Sequence, residues 1–171
     1  MTTDNLFIPD NIPDSAKMLS SEKYTWLAYL LVVPILAIAY AGIVIRRPYV
    51  VGIAFNKIAF FIGVGLSIVF LVVHELIHAL CCPRDTTVFV YLTSSGIGCV
   101  PACGLKKNRY LLVALMPTIV LGVIPFIIWI CFPGMNVIIS SILFAFSVGS
   151  LSMCVGDIYN AFLVALKMNR H

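Results

Sequence analysis

At 171 residues the chain is long enough for one domain, yet 61% of it is hydrophobic and only 11% charged, which excludes an ordinary water-soluble globule. The net charge of +4 falls in short clusters between long apolar runs, as in loops held at a membrane surface, so no nucleic-acid partner is implied.

The first 25 residues carry Asp4, Asp10, Asp14, Glu22, Lys17 and Lys23 with Pro9 and Pro13, and lack the basic start and apolar core of a cleavable signal peptide. They read as a polar segment, residues 1–25, ahead of a single transmembrane domain, residues 26–171. A hydrocarbon core of about 30 Å needs about 20 apolar residues of helix. Four stretches meet that need, near Trp26 to Ile45, Gly52 to Cys82, Tyr110 to Phe132 and Val137 to Leu166. The second and fourth exceed the requirement, which implies tilt or extension past the bilayer. Between the second and third, the β-branched and aromatic run from Asp85 to Thr93 ends in Ser94-Ser95-Gly96 and reads as a strand, with a return arm through Ile97 to Ala102 limited by Pro101. The expected fold is an all-α membrane bundle of about four transmembrane helices, with a short strand or hairpin in the central loop. That loop is either a structured cap or a substrate-binding edge, carried in the second case by Val88 and Val90.

An even number of spans leaves both termini and the central loop on one side, with Lys17, Lys23, Arg84, Lys106, Lys107, Arg109, Lys167 and Arg170. Arg46 and Arg47 lie on the other, with Lys57 if it snorkels outward. The positive-inside rule puts the richer side in the cytoplasm. Six cysteines, four of them flanking the basic loop, are then expected to be reduced. The lack of an N-glycosylation sequon and of an N-terminal signal fits a bacterial cytoplasmic membrane.

Ionisable residues inside spans are costly and face a cavity or a partner. Two of the three histidines fall in His74-Glu75-Leu76-Ile77-His78. Positions i and i+4 share a helix face, so His74 and His78 can direct two imidazole nitrogens at one zinc ion. Glu75, about 100° around the helix, can reach water as general base without being a ligand. The bland alternative is a pair of histidines bonded to backbone or to each other beside a protonated Glu75. A hydrolytic zinc site takes three protein ligands, and Asp157 in the fourth span lies at the same depth as His74. Gly156 would let its helix approach the second span closely, and Asn160, one turn on, could hold a ligand or a substrate carbonyl. Asp157 could otherwise serve as a proton relay or pair with Lys57. Cys99 and Cys103 have a spacing seen in structural zinc sites, with Cys81-Cys82 as the nearest second pair. Pro117 and Pro125 mark kinks in the third span that free backbone carbonyls, and Pro117 is a candidate to face the site and its substrate.

His74 to His78 near the end of one span, the strand-like loop after it, Met116-Pro117 in the next and Gly156-Asp157 in the last resemble a family of zincin peptidases of integral membrane proteins, allied to the site-2 intramembrane metalloproteases. The resemblance covers residues 52 to 166. It implies a peptidase with one zinc ion that cuts membrane-anchored proteins or peptides, with His74, His78 and Asp157 as ligands and Glu75 as base. It also implies strand addition between the loop and an unwound substrate. The Asp-Gly order of site-2 proteases is reversed at Gly156-Asp157. Two other classes fit the composition: a binding or immunity-type membrane protein stapled by the metal, and an ion transporter. The absence of repeats and of a polar ladder speaks against the transporter.

Overall fold

The computed structural model describes residues 30–47, 55–84, 87–93, 96–101 and 105–167, with residues 89–93, 96–100 and 167 described by backbone alone. The polar segment 1–25, Cys103 and His171 lie outside the described residues. The fold is mostly helical: α1 (Val32–Arg46), α2 (Lys57–Val69), α3 (Leu71–Cys81), β1 (Val88–Thr93), β2 (Gly96–Pro101), α4 (Lys107–Pro117), a π-helical stretch (Thr118–Val123), α5 (Ile124–Cys131), α6 (Val137–Met153) and α7 (Val155–Lys167). β1 and β2 pair antiparallel, with Val88 opposite Pro101 and Val90 opposite Cys99.

Residues 107 to 131 make one continuous helical run of 25 residues, long and apolar enough to cross a membrane. The expected second and fourth spans are each broken: α2 and α3 meet at 40°, α6 and α7 at 47°. If each bent pair counts as one span, three spans result, and α1 is a shorter apolar helix of 15 residues. The surplus length read as tilt is therefore taken up by bending, at Phe70 and at Cys154.

Local chemistry sets the element ends. Asn56 Oδ1 accepts the Ala59 amide at 3.0 Å and starts α2, and Asn136 Oδ1 accepts the Ile138 amide at 2.8 Å and starts α6. Pro83 follows the end of α3, where a helix cannot continue.

The core lies where α2 packs along α6 and α5 closes against α6 and α1. Trp129, fully buried, stacks with Phe126 and meets Phe144, around which Phe55 and Phe60 gather. Gly63 makes the α2–α6 approach possible, since a Cβ there would stand 2.5 Å from the Ile142 carbonyl oxygen and 2.8 Å from Ala145 Cβ. Gly156 does not play the part expected of it. A Cβ there would meet nothing within 4 Å, because α7 packs on α4 and not tightly on the second span.

Arg46 also departs from expectation. Instead of a solvated loop cation it is 3% exposed. It donates to Ser140 Oγ at 2.8 Å and to the carbonyls of Phe132 and Pro133 at 3.2 and 3.0 Å, with its guanidinium 4.5 Å over the Trp129 ring. It thereby ties the end of α1 to the α5–α6 turn. At the opposite end Lys107 Nζ donates to the Ala165 carbonyl at 2.6 Å, joining the start of α4 to the last turn of α7.

Candidate metal centre

On α3, His74 and His78 are buried, while Val72, Leu76 and Leu80 on the other face are 60%, 55% and 74% exposed. That arrangement inverts a water-soluble amphipathic helix, which hides its leucines and shows its polar groups. The buried polar face of α3 points at α4 and at the bend between α6 and α7, and the bend brings Asp157 to it.

Three atoms converge there. His74 Nε2 and His78 Nε2 are 3.0 Å apart, Asp157 Oδ2 lies 2.9 Å from the first, and 3.5 Å separates it from the second. Ligands of a tetrahedral zinc with bonds of about 2.0–2.1 Å sit about 3.3 Å from one another, so this triangle has the size that one ion requires. Two imidazoles and a carboxylate are also the donor set of hydrolytic zinc sites. The residues fit a zinc ion. Asp157 has its close partners in these histidines; Lys57 opens α2 at the far end of the bent pair.

The second nitrogen of each ring is engaged. His78 Nδ1 lies 2.8 Å from the Val113 carbonyl oxygen. A carbonyl only accepts, so Nδ1 carries the proton and the Nε2 lone pair is left facing the triangle. His74 Nδ1 lies 3.5 Å from Cys154 Sγ, a thiol buried at the α6–α7 bend. Cys154 makes a second cluster possible with His74 and Asp157, all three ligand atoms within 4.8 Å of one another. The thiol faces Nδ1 while His78 and Asp157 face Nε2, and one imidazole cannot aim both nitrogens at the same ion. The tighter triangle is therefore the better metal site, with Cys154 behind it. Sequence reasoning passed over Cys154 because a cysteine in an apolar helix reads as a small core residue. Its one signal was position: three residues before Asp157, on the same side of a helix.

Glu75 is close without belonging to the triangle: its Oε1 is 4.0 Å from His74 Nε2. Asn160 is half-buried one turn beyond Asp157, and no hydrogen bond joins the two among the described residues. Pro117 is wholly buried and presents no surface. Val88 is half-buried, and Val90 lies two residues on in the backbone of β1. β2 runs beside α3, so the hairpin lies against the helix that carries the histidines. The buried hydroxyl of Ser150, without a hydrogen-bond partner among the described residues, lines a small cavity that also borders Ser67 and His74.

A cluster of two histidines and an aspartate with an adjacent glutamate, enclosed by helices, defines a candidate zinc-hydrolase centre. The chain belongs to the family described as "Putative zincin peptidase", whose sequence pattern matches residues 67–171. The matched stretch begins just before the bend at Phe70 and takes in His74, Glu75, His78, Cys154 and Asp157, leaving α1 and most of α2 outside. Family membership supports a zinc peptidase. No curated protein and no solved structure matches the chain.

Proposed function

We propose that the protein is an intramembrane zinc peptidase of the site-2 type, with one zinc ion held by His74, His78 and Asp157, which hydrolyses peptide bonds of membrane-anchored proteins or peptides near the cytoplasmic face. The observation that carries this reading is the triangle of donor atoms, 2.9 to 3.5 Å on a side, on the buried face of a helix whose opposite face exposes leucines. The same inside-out pattern supports four spans in a lipid bilayer, with α1 as the first and each bent pair as one.

Bound there, zinc supplies Lewis acidity that activates water and polarises a carbonyl at neutral pH. The protein's own groups do the rest. Glu75 takes the proton from the attacking water and hands it to the leaving amine. The Val113 carbonyl holds His78 in the tautomer that leaves Nε2 free, and the carboxylate of Asp157 balances charge in a site of low dielectric. The outer edge of β1 has no strand neighbour among the described residues, which supports strand addition by an unwound substrate along Val88 and Val90. Asn160, one turn beyond Asp157, would steady a substrate carbonyl.

The test is the metal content of the detergent-purified chain. About one zinc per chain, lost in both His78→Ala and Asp157→Ala, is the expected result. Zinc that persists in Asp157→Ala would remove the third ligand, and a native chain without zinc under mild purification would defeat the peptidase reading.

A further inference from the structure

In an α-helix the carbonyl of residue 113 accepts the amide of residue 117. Residue 117 is proline, which has no amide hydrogen to give. The next amide does not replace it, because Thr118 N–H turns back to the Leu115 carbonyl. The Val113 carbonyl is thus left without its helical partner deep among packed helices, where an unsatisfied acceptor is costly. His78 Nδ1, 2.8 Å away and buried, fills that place.

We propose that Pro117 is a positioning residue for the metal ligand His78. By withholding one backbone proton it reserves the Val113 carbonyl for His78 Nδ1–H, and so fixes which nitrogen of that ring is free to bind the ion. The inference rests on the metal centre proposed above and goes beyond it by giving a task to a side chain that touches neither metal nor substrate. Proline acts here through what it lacks. Any other residue at 117 would bring an amide that shares the same carbonyl, weakening its bond to the ring and loosening its hold on the ring's orientation and tautomer. Loss of such an orienting partner costs about 10- to 100-fold in metal affinity.

Replacing the ring alone would confound packing with hydrogen bonding, so the decisive comparison uses two variants of nearly identical shape. Pro117→Ala restores the amide; lactic acid installed at 117 puts an ester oxygen in the amide's place and has alanine's side chain without its N–H. Zinc affinity is measured by chelator competition in detergent, with Pro125→Ala as a control in the same span. The expected result is a loss of about 10- to 100-fold in Pro117→Ala, with the ester variant and Pro125→Ala near the native value. Equal weakening of the alanine and ester variants would assign the effect to packing and overturn the proposal, as would a Pro117→Ala chain that binds like the native one. If neither variant folds, nitrogen-15 histidine spectra of the native zinc-loaded chain decide: His78 protonated at Nδ1 upholds the proposal, and His78 protonated at Nε2 overturns it. A native chain that binds no zinc would instead defeat the metal centre itself, so the two failures are distinguishable.

Discussion

Glu75 sits 4.0 Å from His74 Nε2 while the three proposed ligand atoms sit within 3.5 Å of one another, a spacing that accords with the proposed role of Glu75 as base, although its carboxylate is near enough to join His74 and His78 in a ligand set. Glu75→Gln keeps size and hydrogen bonding but cannot carry a proton. It should retain zinc and lose about 10²- to 10⁴-fold in cleavage rate, the usual contribution of a positioned base. Zinc content and turnover of a membrane-anchored reporter check this, and an active Glu75→Gln chain would take Glu75 out of the mechanism. Cys154 supports the other face of His74. Cys154→Ala should weaken zinc binding by about 10-fold or more, with Cys154→Ser recovering part of the loss, because a hydroxyl also partners Nδ1. Cobalt substitution provides the check: an absorption spectrum without a sulfur-to-metal band in the native chain would keep Cys154 behind the ligand set, and a strong band would move it into that set. The adjacency of His74, Glu75 and His78 was legible because their spacing lies on one helix, and the approach of Asp157 to them because depth in a bilayer can be counted in residues. The Val113 carbonyl was not, since every residue has one and only the fold decides which is bare.

Three interruptions surround the metal centre: the bend at Phe70, the π-helical stretch after Pro117 and the bend at Cys154. The second was legible, since proline removes an amide and crowds the preceding turn. The bends were not, because neither Phe70 nor Cys154 marks a break by its local chemistry; the hydropathy of residues 52–82 and 137–166 reads as one run whether straight or folded. The bend at Cys154 places the metal-facing carboxylate on a helix separate from α6, whose other end is locked against α2. That lock rests on Gly63. Gly63→Ala places a Cβ against a backbone carbonyl that cannot swing aside, and should destabilise the chain by about 1–3 kcal/mol. Gly65→Ala, where a Cβ meets nothing within 4 Å, should stay neutral or gain up to about 1 kcal/mol from helix propensity. Thermal unfolding of both in detergent, followed by circular dichroism, checks the pair; equal behaviour would mean that α2 and α6 are not pinned at Gly63.

Whole-molecule topology follows from two ties at opposite ends: Lys107 joins the start of α4 to the end of α7, and Arg46 joins the end of α1 to the turn before α6. Burial of Arg46 changes the charge balance between those ends. An arginine that is 3% exposed, with both terminal nitrogens taken up by carbonyls and a serine, offers little to the translocation machinery or to lipid headgroups, so the Arg46 end keeps Arg47 and Lys57 as its exposed cations among the described residues. The other end exposes Arg84, Lys106 and Arg109. Under the positive-inside rule, the proposed orientation with that end in the cytoplasm draws more support from this exposed balance than from a count of all arginines. His78 lies one helical turn before the end of α3, about 5 Å in, so a bond cut at this centre would lie close to the same face. In a bacterial inner membrane, a cysteine introduced by Met135→Cys, in the turn beside Arg46, should react with a membrane-impermeant maleimide in intact cells above the background of the unsubstituted chain. Asn108→Cys should react only after the membrane is opened. The reverse pattern would turn the molecule over and move the cut to the outer face. Equal labelling of both positions in intact cells would mean that the helices between them do not span, and the peptidase would have to act on the bilayer surface instead of within it.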